Sequence, residues 1–128
     1  MSLREALKLM VVDDMSTSRG LITQSLNDIG LWNIQTENDG RAALATLSAK
    51  PVHLVLSDMN MPGMDGLGLL QALRQNQATQ RIGFILVTGT PTQDILKKGQ
   101  SLGLNNFIKK PFSAKDMKLC IEKVVGKF

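Results

Sequence analysis

Leu9-Met10-Val11-Val12-Asp13-Asp14 reads as a short apolar strand stopped by two acids, and Val52-His53-Leu54-Val55-Leu56-Ser57-Asp58 repeats the pattern with one. Runs this continuously apolar belong to strands covered on both faces, as in a parallel sheet, and a third lies at about 82–87. If the first two strands are neighbours, their terminal carboxylates meet. Like charges within roughly 4 Å repel by about 4 kcal/mol at an effective dielectric near 20, so folding alone gives no reason to gather them. A hard divalent cation with oxygen ligands, most simply Mg²⁺, relieves that repulsion, because Mg²⁺ takes one or two carboxylates and completes its shell with water or phosphate oxygens.

Strand and helix alternate five times around these runs, with no internal repeat and no linker. Asn33-Ile34-Gln35-Thr36-Glu37 alternates, with Ile34 and Thr36 on one side, as suits an edge strand, and the short run Asn105-Asn106-Phe107-Ile108-Lys109 belongs near the other margin. Between them the spacing predicts a first helix with Ile22, Leu26 and Ile29 inward, starting at Ser16-Thr17-Ser18 and stopped by Gly30. Asp39 caps a second helix with Ala43, Leu44 and Leu47 inward, and Asp65 a third with Leu69, Leu70 and Leu73. A fourth helix, about Pro91 to Leu102, is expected to start at a Thr90 cap with proline in its first turn. It has only Ile95, Leu96 and Leu102 to bury and Gly99 inside, so it should be the weakest. Ser113 caps a fifth helix, which places Met117, Cys120, Ile121 and Val124 in the core.

Alternating βα units with short connections predict a single α/β domain over residues 1–128, doubly wound and flavodoxin-like, with five parallel strands in the order 2-1-3-4-5. The composition agrees: 43% hydrophobic and 20% charged residues describe an ordinary globule. A lone cysteine, Cys120, forms no intrachain disulfide, and no apolar run reaches membrane-spanning length, so the expected setting is the cytoplasm. Charge is uneven. Residues 1–88 carry a net −1 and residues 89–128 a net +5, eight lysines against three acids. That basic end suits an acidic protein segment better than nucleic acid, since it has no arginine and no recognition-helix module.

Ligands of doubly wound sheets bind at the strands' carboxyl ends. There the first strand ends at Asp13-Asp14, the third at Asp58, the fourth at Thr88 and the fifth at Lys109-Lys110, so three acids, a hydroxyl and an ammonium converge. These segments, with Met59-Asn60-Met61-Pro62-Gly63-Met64-Asp65-Gly66, Val87-Thr88-Gly89 and Lys110-Pro111-Phe112, resemble the signature of response-regulator receiver domains, the CheY-like family, over essentially the whole chain. The resemblance implies that Asp58 accepts a phosphoryl group and that Mg²⁺ is held by Asp13, Asp14, Asp58 and the backbone carbonyl of Asn60. It further implies that Thr88, Gly89 and Lys110 contact the phosphoryl oxygens, that Thr88 and Phe107 form the switch, and that Lys110-Pro111 is cis. Asn60 and Thr90 are expected to tune phosphoryl lifetime, and Phe107 stands where chemotaxis members typically carry tyrosine.

Such a protein is a signalling phosphoprotein rather than an enzyme with its own substrate. It takes its phosphoryl group from a histidine kinase or a histidine phosphotransfer protein, because its single histidine, His53, lies mid-strand away from the crevice. Phosphorylation is expected to withdraw Thr88, admit Phe107 and remodel a face carrying Lys97, Lys98, Lys115 and Lys118, which then docks an acidic peptide or a flagellar motor-switch target. With no output domain the expected form is a stand-alone monomeric receiver; a phosphate sink or a phosphorelay carrier are alternatives in the same class. A flavodoxin-like FMN binder is the rival from another class, with Ser16-Thr17-Ser18-Arg19-Gly20 as its phosphate loop, although Asp13 and Asp14 would repel that phosphate. An aspartyl phosphohydrolase is a further rival, opposed by Asn60 standing where its second acid belongs. Met59, Met61 and Met64 are expected to fill gaps beneath a loop.

Overall fold

A computed structural model describes residues 3–128. In chain order the elements are α1 (Leu3–Ala6), β1 (Leu9–Val12), α2 (Ser16–Asp28), β2 (Ile34–Glu37), α3 (Gly40–Ala49), β3 (Leu54–Asp58), α4 (Gly66–Gln75), β4 (Gly83–Thr88), α5 (Gln93–Ser101), β5 (Asn106–Lys109) and α6 (Ala114–Val125). All four strand pairings are parallel, and the sheet order is β2-β1-β3-β4-β5, as the sequence predicts.

Strand alternation divides the core in two. Met10 and Val12 of β1, Val55 of β3, and Phe84 and Leu86 of β4 pack with α3, α4 and their loops on one face. Their neighbours Leu9, Val11, Leu54, Leu56, Ile85 and Val87 pack with α2 and α6 on the other. Every residue of β1 and β3 is therefore buried, which is why those segments are apolar without a break. The edge strand β2 is only partly covered: Ile34 packs against the core, while Thr36, expected beside it, is exposed.

The helix caps follow local chemistry. Asp39, Asp65 and Ser113 accept from Ala42, Gly68 and Asp116 backbone N–H groups, and Ser113 and Asp116 form a reciprocal capping box. One expected start is corrected. The N-cap of α5 is Thr92, not Thr90; its hydroxyl accepts from Ile95, and Pro91 stays outside the helix. Helix α2 does begin at Ser16, as expected, but its N-cap is Met15, without a side-chain cap. Gly30, with φ of 88°, does stop the segment after α2. His53 is also corrected: it precedes β3, is exposed, and accepts through Nδ1 from the Lys8 backbone N–H at 2.9 Å. It sits at the amino end of the strands, not mid-strand as expected.

The two helices flanking β4 are held unequally. Along α4, Gly66, Leu67, Leu69, Leu70 and Leu73 are buried, whereas α5 buries only Gly99 and rests on the half-covered Ile95, Leu102 and the following Leu104. Arg74 of α4 reaches across to fix the end of α5, donating to the carbonyls of Gly103 (2.9 Å) and Ile82 (2.7 Å) and to Asn105 Oδ1 (3.0 Å).

Candidate functional site

The site assembles where parallel strands finish at one edge of the sheet. Asp13 follows β1 and remains tied to the sheet, its N–H donating to the Glu37 carbonyl, and it is fully buried. Asp58 is the last residue of β3 and is 8% exposed; Asp14 is exposed. Oxygens from the three carboxylates lie within 4.8 Å of one another. Their donor chemistry fits a hard divalent ion: all oxygen, clustered, and open to solvent through Asp14, so that water can complete the shell.

Lys110 enters from the end of β5. Its Nζ lies 3.2 Å from Asp58 Oδ1 and 3.6 Å from Asp13 Oδ2, bridging the two buried acids. The cis Lys110–Pro111 bond, which the resemblance implied, follows directly. Burial pushes the Asp58 carboxyl above the ordinary carboxylate value; the Lys110 ammonium and its hydrogen bond pull it down, and Asp13 pushes it up again. Thr88, the last residue of β4, is 1% exposed. Its hydroxyl accepts from the Thr90 N–H at 3.1 Å, and its carbonyl accepts from the Lys110 N–H at 2.9 Å, which locks the ends of β4 and β5 together. Gly89, Thr90 and Asn60 are exposed at the rim, and nothing lies within 4 Å of a Cβ built on Gly89.

Two residues in the site were not foreseen. Ser18, in the first turn of α2, donates to Asp13 Oδ2 and accepts from Lys110 Nζ at 2.9 Å. Arg19 donates to the Asp13 carbonyl at 2.8 Å. The signal available in the sequence is their place about four residues beyond the acidic pair; the sequence alone puts Ser18 at a helix start or in a phosphate loop. Ser16 to Gly20 form helix, not a loop open to a flavin phosphate.

Phe107 is not a core aromatic. It is 38% exposed on β5, facing a groove lined by Lys109, Leu119, Cys120 and Lys123 among others. Cys120 is buried as expected, and burial pushes its thiol up to about 11. Lys97, Lys98 and Lys115 are exposed, but Lys118 is half-buried with its ammonium 5.9 Å from the Phe128 ring centroid. Helical periodicity puts Lys118 across α6 from Asp116, Leu119 and Lys123, so Lys109 and Lys123, rather than Lys118, flank the groove. Met59 and Met61 are buried and Met64 packs on the same core, under the β3–α4 loop.

The response regulator receiver domain family model matches residues 9–122. The chain belongs to this family. It is 40% identical over 126 residues to a probable chemotaxis protein CheY of Rhizobium etli, covering 98% of each chain. It is 35% identical over 118 residues to the chemotaxis protein CheY of Pseudomonas aeruginosa, covering 92% of this chain and 95% of that one. Among solved structures, Vibrio cholerae chemotaxis protein CheY4 superposes with a TM-score of 0.85 at 26% identity, over 92% of this chain and 98% of the other. The receiver domain of a Pseudomonas aeruginosa sensor histidine kinase, solved with magnesium coordinated in its active-site cleft, shares the fold with a TM-score of 0.84 at 20% identity, over 95% and 99% of the two chains. This receiver is thus of the CheY type, a signalling protein with an acidic cluster suited to Mg²⁺. No helix among its described residues is long and apolar enough to cross a membrane.

Proposed function

We propose that this receiver is a cytoplasmic phosphoacceptor of chemotaxis signalling, modified on Asp58 by the phosphohistidine of a histidine kinase or histidine phosphotransfer protein. One observation carries the reading: a single ammonium, Lys110 Nζ, spans the Asp58 carboxylate and the buried Asp13 in a cluster of three acids. An Asp58 oxygen forms the new O–P bond as the donor's P–N bond breaks, and the electron pair leaves with the imidazole, which takes up a proton. Lys110 neutralises charge on the equatorial phosphoryl oxygens of a loose transition state, and the Thr88 hydroxyl and Gly89 backbone offer further contacts there. Asp13, Asp14, Asp58 and the Asn60 carbonyl are the residues that would hold Mg²⁺, whose charge, when bound, offsets that of the acids and the phosphoryl group. Asn60 and Thr90, at the rim, control water's approach to the acyl phosphate.

Output runs through β4 and β5. A phosphoryl group adds charge of about −1.5 to −2 beside Thr88 and draws its hydroxyl inward from the Thr90 N–H. Because Thr88 also holds Lys110 through its carbonyl, that shift reaches the end of β5, and Phe107 turns in as the thinly anchored α5 adjusts. The face of α5, β5 and α6, with Lys97, Lys98, Lys109, Lys115 and Lys123 around Phe107 and Leu119, then docks an acidic segment of a motor-switch-type target. Labelled phosphoryl transfer from candidate kinases, lost in Asp58→Asn, tests the acceptor. Equal affinity for an acidic target peptide with and without beryllofluoride would rule out the output step.

A further inference from the structure

The Lys110 ammonium carries three N–H donors on a flexible four-carbon stem, and its side chain is 29% exposed. Left to two carboxylates alone it would divide its time between Asp13, Asp58 and water. The structure supplies a third partner. Ser18 Oγ lies 2.9 Å from Lys110 Nζ and within hydrogen-bond reach of Asp13 Oδ2, while Asp13 Oδ2 itself stands 3.6 Å from the ammonium, too far for a direct hydrogen bond. Chemistry fixes the direction of both bonds. A carboxylate only accepts and an ammonium only donates, so the serine hydroxyl gives its proton to Asp13 and presents a lone pair to Lys110.

That hydroxyl is rigidly held. Ser18 is the third residue of α2, and the same end of the helix is fixed by Arg19, which donates to the Asp13 carbonyl at 2.8 Å, and by the Met15 N–H, which donates to Asp13 Oδ1 at 3.0 Å. Neither bond of Ser18 involves Asp58 directly, so Ser18 and Asp58 hold separate N–H groups of the same ammonium.

We propose that Ser18 is a positioning residue for phosphoryl acceptance: its hydroxyl relays the charge of Asp13 to Lys110 and holds the ammonium beside Asp58. One N–H then points at Ser18 and one at Asp58, and the third remains for the incoming phosphoryl oxygen. The inference rests on Asp58 being the acceptor. It adds that an uncharged residue on α2, outside the acid–lysine set, governs how often the lysine is in place.

The test follows acyl-phosphate formation by the full chain with phosphoramidate as donor and Mg²⁺ in excess, scored by intact mass. In this reaction the donor's P–N bond breaks and ammonia leaves as the Asp58 O–P bond forms. Ser18→Ala is expected to slow modification about tenfold, equivalent to roughly 1.4 kcal/mol, and Ser18→Thr to restore it to within about twofold. In a Lys110→Ala background, Ser18→Ala should change the rate by less than about twofold, because nothing remains to be positioned. A full tenfold loss persisting without the lysine, or a threonine variant as slow as alanine, would assign Ser18 a merely structural part and overturn the proposal; so would a Ser18→Ala rate equal to wild type. Thermal melts of each variant separate misfolding from mispositioning. If wild-type protein takes no phosphoryl group that Asp58→Asn abolishes, the acceptor reading itself falls, and the positioning of Lys110 for transfer falls with it.

Discussion

Helices α4 and α5 flank the same strand, are nearly equal in length, and each contains a buried glycine, yet they are attached in opposite ways. At Gly66 of α4 a Cβ would lie 2.5 Å from the Asp58 carbonyl oxygen and 3.1 Å from Met59 Cα, so helix backbone rests directly on the backbone that carries Asp58. At Gly99 of α5 a Cβ would meet Leu104 Cδ2 at 2.8 Å, the tip of a half-covered side chain that can swing aside. Four leucines, Leu67, Leu69, Leu70 and Leu73, anchor the first helix in the core; none is buried in the second. The contrast teaches a division of labour. On the proposed reading, the firmly anchored element behind Asp58 keeps the site's geometry, and the lightly held element beyond Thr88 is the one a signal moves. Arg74 pins α5 only at its Gly103 end, so its Thr92 end, nearest Thr88 in the chain, is the end free to shift.

The severest challenge to that contrast is truncation inside α4. Leu70→Ala removes a fully buried side chain and is expected to cost about 2–5 kcal/mol of global stability, read from urea unfolding midpoints at unchanged slope. Gly66→Ala comes next, at about 1–3 kcal/mol, because the new methyl meets main chain that cannot step aside. It carries a second signature: by displacing the Asp58 carbonyl it should slow phosphoryl acceptance more than its stability loss explains. A Gly66→Ala protein with wild-type transfer kinetics would show that α4 does not set the acceptor's position.

A third test concerns the charge that the fixed side of the molecule tolerates. Burial, offset in part by Lys110, raises the Asp58 value above that of the unfolded chain. The folded state therefore binds more protons in the acidic window between the two, and stability falls as pH rises through it. Asp58→Asn removes the titrating group. The variant should lose that segment of the stability profile and be more stable than wild type at neutral pH in chelator, and adding Mg²⁺ should narrow the difference by binding the wild-type folded state. Identical profiles for the two proteins would mean that folding does not oppose the charged acceptor.

Much of this was legible beforehand, for a simple reason. Residues that end strands of a parallel sheet land at one edge, so Asp13, Asp14, Asp58, Thr88 and Lys110 could be brought together without knowing any angle between elements. Caps at Asp39, Asp65 and Ser113 were readable because each needs only a side chain and the helix it starts. What escaped depends on how elements dock. Ser18 faces the crevice because α2 packs at a particular rotation over β1, and a serine at a helix start looks the same whether it caps or not. Thr90 and Thr92 flank Pro91 with equal claims to a cap, and proline's preference for the first turn chose the wrong one. His53 reads as mid-strand because its neighbours are apolar; it lies one residue before β3, where its imidazole accepts from the Lys8 N–H. Four residues of α1 are too few to show a period.

The smallest expected effect is the one that most sharpens the comparison. Ile95 is the half-covered residue of α5 that packs on the core, and Ile95→Ala should cost about 1 kcal/mol, less than a fully buried isoleucine would. The loss should be local. Amide exchange is expected to accelerate in α5 while α4 retains the protection of global unfolding, since α4 is anchored by its own buried leucines and α5 is not. If α5 is the movable output element, loosening it also shifts the balance of the unmodified protein toward the adjusted state, and affinity for an acidic target peptide should rise several-fold without beryllofluoride. Uniform loss of exchange protection across both helices would show instead that α4 and α5 open as one unit, and the division of labour between them would be an appearance of packing with no consequence for signalling.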